Sequence, residues 1–324
     1  MSNPAPYEPP PLDWSRLRLK SRAARAHKVD VGALGRPTPP GSTFAEWWAA
    51  LPGFLGAKEL GATVDAIVAA RRAGRPVVLA FGGHVIKVGG GPLVVDLIER
   101  GIVTAIASNG SGAIHDLELT ETGATSEEVG DTIRDGSFGM VFETCQRMNA
   151  AAAAGRKIGL GRALGRMLVE SDAPYRDRSV FAAAYRAGIP ATVHVAIGTD
   201  TVHMAAETDG AAVGEATLAD FRTLCAVVAD MSAAAPGAAG GVWLNFGSAV
   251  ILPEVFLKAV SVARNLGYGL EGLHTANFDM LRHYRPTQNV VRRPVAPGHG
   301  HEVIGQHEIL LPLLRQAVIE ALAR

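Results

Sequence analysis

Two hydrophobic periods alternate along most of this chain. Helical spacing, with apolar residues three and four apart, runs over Glu59–Ala73, Pro92–Arg100, Ser137–Ala154, Val180–Ala187, Leu218–Ala233 and Pro253–Leu266. Short continuous apolar runs bounded by Gly or polar residues fall at Pro76–Phe81, Val103–Ala107, Ala191–Ile197, Gly241–Phe246 and Gly269–Thr275. Runs of that length and composition read as buried strands. A last helix is predicted over Gln306–Arg324. Upstream, Ser42 or Thr43 is placed to cap a helix whose Trp47, Trp48, Leu51 and Phe54 form one apolar face, for the core or a subunit interface. Strands alternating with helices predict an α/β fold: a Rossmann-like, mostly parallel, doubly wound sheet covered on both faces. Gly159–Gly165 looks like a dinucleotide loop, but it follows an alanine-rich helix where such a loop follows a strand, so it reads as a connection.

Residues 1–42 read as an N-terminal arm, proline-rich over 1–12, then basic, then rich in Gly and Pro. Such an arm is mobile or lies across a neighbouring subunit. Residues 43–324 read as a single domain. The composition, 48% hydrophobic and 19% charged, provides for a large core. A formal net charge of zero argues against nucleic acid and anionic membranes as partners. No signal-peptide core and no membrane-length apolar run is present, and Cys145 and Cys225 have no metal or redox spacing. The expectation is a cytoplasmic protein with buried thiols.

The candidate chemistry lies just after the strands. Gly82, Gly83, His84 and Lys87 follow the first, and Asn109, Gly110, Ser111, Gly112, His115, Asp116 and Glu118 follow the second. Gly198, Thr199 and Asp200, then His203, follow the third; Asn245 ends the fourth. Asn277, Asp279, Arg282, His283 and Arg285 follow the fifth. In a parallel sheet all five ends share one edge, the edge where α/β proteins bind ligands. His115 and Glu118 lie three apart on a predicted helix and share a face. Asp116 suits either acid–base work or a helix cap. Arg282 and Arg285 suit a carboxylate or phosphate clamp. His299, His301 and His307 fall in a Gly/Pro loop and helix start, and read as exposed or at an interface.

These segments, in this order, resemble deoxyhypusine synthase from about Thr43 to His283. Phe81–Gly89 (FGGHVIKVG) stands at the family's T-S-N-L-[IV]-S-S-G, and Ser111–Asp116 at its G-G-[VI]-E-[EH]-D. Gly198-Thr199-Asp200 resembles its T-D-G, Phe246–Val250 its L-G-G-G-V, and Thr275–Asp279 its N-T-A-x-x-F-D. The resemblance implies a Rossmann-like sheet, a homotetramer built from dimers, and NAD bound near the subunit interface. It places Gly82, Gly83, His84, Asn109, Gly110, Ser111, Gly112, Gly198, Thr199, Asp200, Asn277 and Asp279 around that cofactor. The family oxidises spermidine with NAD, holds an aminobutyl group as an imine on a lysine, and passes it to a protein lysine.

The departures argue against deoxyhypusine formation by that route. The family's lysine sits in a W-G-K motif shortly after N-T-A-x-x-F-D, whereas here the region reads Met280–Pro286 and no lysine follows Lys258. Arginine is no substitute, because guanidinium stays protonated and is a poor nucleophile. Lys87 is the one lysine in the inferred crevice, as a relocated imine lysine or an anion clamp. The reading is an NAD-dependent enzyme, aminoalkyl transfer or related, acting on an amine or amino-acid-like small molecule. Lys87, His115, Asp116 and His283 are its candidate reactive groups, and Glu118, Asn245, Arg282 and Arg285 its candidate substrate contacts. Two alternatives stand beside it. One is a metal-assisted hydrolase or lyase using His84, His115, His203 or His283, with Asp116 or Glu118 as base. The other is a non-catalytic binding protein.

Overall fold

The computed structural model describes residues 7–324; the first half of the proline-rich stretch therefore lies outside the described residues. From Thr43 the elements run α1 (Phe44–Ala49), α2 (Leu55–Arg72), β1 (Val77–Phe81), α3 (Gly83–Lys87), α4 (Gly91–Glu99), β2 (Ala105–Asn109), α5 (Gly110–Thr122), α6 (Val129–Thr132) and α7 (Phe142–Gly155). There follow α8 (Leu160–Val169), α9 (Val180–Arg186), β3 (Ala191–His194), α10 (Gly210–Asp230), β4 (Val242–Phe246), α11 (Ile251–Asn265), β5 (His274–Asp279), α12 (Tyr284–Pro286), β6 (Gly300–Ile304) and α13 (His307–Leu322). A π-helical turn, Thr287–Arg292, joins α12 to the approach to β6. Thr43 caps α1 in a reciprocal capping box with Glu46.

The strands form one six-stranded, all-parallel sheet in the order β3-β2-β1-β4-β5-β6. This is the Rossmann-like doubly wound arrangement, with its switch point between β1 and β4. Strand residues alternate between two cores. Leu79, Phe81, Ile106, Leu244, Phe246 and Phe278 face α2, α4, α9 and α13. Val78, Ala80, Ala107 and Trp243 face α10 and α11, where Trp243 stacks on Phe256 at 4.2 Å. Both faces of every central strand are covered, which is why these strands read as continuous apolar runs. No described helix is long and apolar enough to cross a membrane.

Three expectations are corrected. The fifth strand is His274–Asp279, not Gly269–Thr275: Leu270 and Gly272 adopt positive φ (59° and 70°), so the chain turns there and pairing with β4 starts only at His274. A sixth strand, Gly300–Ile304, joins the five expected; its polar, Gly-flanked sequence carries no apolar run to announce it. Leu160–Val169 is a helix where a connection was expected, because Leu160, Ala163, Leu164 and Leu168 all turn into the core.

Candidate functional site

The carboxyl edge of the sheet does hold a cavity, of about 430 Å³, placed toward the β2–β3 side. Six of the candidate residues line it: Lys87, Ser111, His115, Glu118, Thr199 and Asp200. The loop after α5 and the start of α7 complete the wall, bringing Thr125, Glu127, Phe138, Val141 and Thr144.

Asn109 sets the geometry of the floor. It ends β2, and its side-chain oxygen accepts from the Gly112 amide at 3.0 Å, so α5 starts without a loop. One turn later His115 and Glu118 face the cavity. His115 Nδ1 stands 2.7 Å from Thr125 Oγ1, and the Thr125 hydroxyl donates to Glu118 Oε2 at 2.5 Å. Thr144 Oγ1 donates to Glu118 Oε1 at 2.9 Å. A threonine hydroxyl has one hydrogen, and Thr125 gives its own to the carboxylate, so it accepts from His115 Nδ1–H. The His115 Nε2 is therefore the nitrogen that carries the lone pair. Burial, with the charge of Lys87 adding to it and that of Glu118 opposing, lowers the His115 pKa to about 4, so the ring is neutral at pH 7.

Asp200 enters from the loop after β3. Its side chain is almost fully buried and its Oδ2 has no hydrogen-bond partner among the described residues. A Cβ on Gly110 would lie 2.0 Å from that oxygen, so glycine is what lets Asp200 reach α5. Burial raises the Asp200 pKa, partly offset by His203. The His203 Nδ1 accepts from the Gly198 and Asp200 amides, at 3.2 and 3.3 Å, which leaves the proton on Nε2, 4.0 Å from Asp200 Oδ2. Lys87 ends α3 as an exposed side chain at the cavity rim.

The other candidates lie elsewhere. Asp116 points away from the cavity: its carboxylate accepts from Ser179 Oγ (2.6 Å) and from the amides of Val180 (2.9 Å) and Phe181 (3.3 Å), holding the start of α9. Its role there is structural, and burial raises its pKa to about 6. Gly82 touches protein: a Cβ there would meet the Gly247 carbonyl at 2.4 Å, so β1 and β4 close on each other at the switch point. Gly83 and Gly112 likewise make room for Ser111 and Ser108.

His84 pairs with His307. Asn245 and Asn277 are fully buried in paired strands, with Asn245 Nδ2 donating to Asn277 Oδ1 at 2.7 Å. Asp279 accepts from the Met280 amide at 2.8 Å and lies 3.9 Å from His283 Nε2, outside the cavity wall. Arg282 and Arg285 pair with Glu302 and Glu254, so the proposed clamp is already occupied by the chain's own carboxylates. His301 and His307 are buried, not exposed; His301 Nδ1 lies 2.8 Å from Glu59 Oε2. Among the described residues no three His, Cys, Asp or Glu side chains stand together as a metal site, so the strand-end histidines do not converge. Thr125 and Thr144 were missed because nothing in the sequence distinguishes them from other threonines.

No protein-family model and no curated protein matches the chain. Solved structures do resemble it in fold. A putative deoxyhypusine synthase from Entamoeba histolytica aligns with a TM-score of 0.50 and 11% identity, over 88% of this chain and 96% of that one. ArgZ, an arginine dihydrolase from the ornithine–ammonia cycle in cyanobacteria, aligns at 0.50 and 15% identity over 81% of this chain. AgrE, in a ternary complex with ornithine and NAD+, aligns at 0.50 and 16% identity over 82%. This chain spans about a third of ArgZ and AgrE, 32% and 33% of their lengths. At these identities the likeness establishes the fold.

Proposed function

We propose that this chain is an enzyme of deoxyhypusine synthase-like class that uses NAD to act on an amine or amino-acid-like substrate. The observation that carries the reading is the relay in the cavity wall, from His115 through Thr125 to Glu118. A neutral imidazole held in one tautomer by a carboxylate is the arrangement of a proton acceptor. The fold neighbours support the substrate class, since one is described with ornithine and NAD+ and another as a putative deoxyhypusine synthase.

Asp200 Oδ2 is the group that fits a nucleotide: a buried acceptor without a partner in the cavity wall, suited to a sugar hydroxyl. Ser111 and Thr199 offer hydroxyls on the same wall. NAD bound there supplies a hydride acceptor. His115 Nε2 takes the proton released from the substrate nitrogen, and the low basicity of the ring lets it pass that proton on. Lys87, exposed at the rim, attracts and orients an anionic group of the substrate such as a carboxylate; an imine lysine needs the desolvated pocket that Lys87 lacks. Assembly as a homotetramer belongs to the same proposal.

The test is titration calorimetry of the full chain with NAD, followed by NADH formation from a panel of diamines and basic amino acids. Heat of binding and amine-dependent NADH are expected. A chain that binds no NAD sinks the reading.

A further inference from the structure

The loop that forms one wall of the cavity has little hold on the helices around it. From Gly123, just after α5, to Phe138 no residue is buried. The loop nevertheless brings Thr125, Glu127, Val129, Phe138 and Gly139 to the cavity. Its hydrogen bonds run mostly to itself. Glu127 Oε1 accepts from the Gly139 amide at 2.7 Å, and the Ser137 and Phe138 amides donate to the Thr132 carbonyl at 3.1 and 3.2 Å. A surface loop whose ends are clasped in this way is an Ω-loop, a compact unit. With so few buried contacts, such a unit belongs to the low-stability end of a fold.

Among the described residues, hydrogen bonds tie residues 125–139 to the surrounding helices only through Thr125, whose hydroxyl joins His115 to Glu118. At the far end Gly139 presses on Thr201, the neighbour of Asp200: a Cβ on Gly139 would lie 2.4 Å from Thr201 Cγ2. Gly123 and Gly139 have φ of 76° and 71°, so a glycine stands at each end to absorb a swing. Between Thr125 and Glu127 sits Ser126 at φ 70°, a conformation that residues other than glycine rarely adopt. The Thr125 bonds hold it there from one side and the Glu127 clasp from the other. Release of either lets Ser126 relax and draws the other away.

We propose that this Ω-loop is a lid and Thr125 its latch: closure carries the Thr125 hydroxyl between His115 and Glu118, so that the proton relay is assembled only over an enclosed cavity. This rests on the proposed role of His115 as proton acceptor, and closure is what switches that role on. Without an acceptor at Nδ1, a neutral imidazole carries its proton mainly on Nε2 and offers the cavity no lone pair. Closure also brings the apolar Val129 and Phe138 over the site, which keeps water from the reacting groups. Glu127, through its clasp on Gly139, is a positioning residue for the relay.

The full chain is tested without NAD or substrate, so that a failure here is separate from a failure to bind NAD. The first measurement is deuterium uptake by the backbone over residues 124–141. Thr125→Val is expected to raise it several-fold and to leave uptake by α10 unchanged. The second is the ring-nitrogen NMR spectrum of the histidines, with the His115 signals identified by their loss in His115→Gln. The native ring is expected to carry its proton on Nδ1. Glu127→Ala, a change at an exposed residue, is expected to shift the proton several-fold toward Nε2. Glu127→Gln, whose amide oxygen still accepts from Gly139, is expected to reverse that shift. The proposal is overturned by unchanged uptake in Thr125→Val, by a His115 tautomer that Glu127→Ala leaves as it is, or by a shift that Glu127→Gln does not reverse.

Discussion

Nδ1 of His84 and Nδ1 of His307 stand 2.8 Å apart, although 223 positions separate them in the chain. His307 Nε2 lies 3.3 Å from the Phe278 carbonyl, which can only accept, so that nitrogen holds the proton. His307 Nδ1 is then a lone pair, and His84 Nδ1–H donates to it. The pair ties the start of α3, just after β1, to the start of α13 across the switch point. It requires a neutral His307, and burial together with the neighbouring His84 holds its pKa below the ordinary value.

Replacing His307 tests the tie. His307→Ala removes the partner of His84 and one of the two donors to the Phe278 carbonyl, which keeps the Gly247 amide at 3.0 Å, so unfolding in urea is expected to show a loss of about 1–3 kcal/mol for the two hydrogen bonds. A loss within a few tenths would mean that the two rings contribute nothing.

The relay makes a sharper prediction about activity. Thr125→Val keeps the shape of the side chain but severs His115 from Glu118. Amine-dependent NADH formation is expected to fall about 100-fold, within the usual range for acid–base groups. Thr125→Ser restores the hydroxyl and should return most of the rate. Equal rates for the Val and Ser variants would remove the relay from the mechanism.

Asp116 separates stability from chemistry. Asp116→Ala leaves Ser179 Oγ and the Val180 amide without their buried acceptor, with an expected cost of about 1–3 kcal/mol. Activity per folded molecule should be unchanged at a temperature where the variant is folded. A selective loss of kcat in Asp116→Ala would return this residue to the catalytic set.

His194 gives a pH signature. It is buried beside Thr192, and desolvation lowers its pKa from 6.5 to about 4. Between these values the unfolded chain binds the proton and the native chain does not, so His194 costs stability as pH falls from 6.5 toward 4. The buried Asp116 and Asp220, whose pKa values rise to about 6 and about 7, act in the opposite sense. The contribution of His194 is therefore isolated by difference. The urea midpoint of the native chain relative to His194→Asn should be highest above pH 6.5 and drop steadily to pH 4. A constant difference across that window would contradict the assignment.

The apolar periods were sufficient for the architecture, because a strand buried on both faces must be apolar on both. They failed where a buried strand carries polar residues. In β5, Thr275, Asn277 and Asp279 are buried and each has a partner: the Val290 carbonyl for the Thr275 hydroxyl, Asn245 Nδ2 for Asn277 Oδ1, and the Met280 amide for Asp279, while Asn277 Nδ2 has none among the described residues. Such partners are invisible in a one-dimensional pattern. The glycines misled for the same reason. Gly82 and Gly110 do mark close approaches, but the approaching atoms belong to Gly247 and Asp200.

What the sequence determined by itself was the α/β alternation, the parallel sheet and the gathering of polar residues at one edge, since each follows from local periodicity and chain direction. Tertiary structure alone decided which of those residues act together. His115 and Asp116 are neighbours on one helix, yet one side chain enters the cavity and the other seals the start of α9. Successive residues on a helix point about 100° apart, and only the packing of α5 between cavity and core decides which direction is chemistry and which is support.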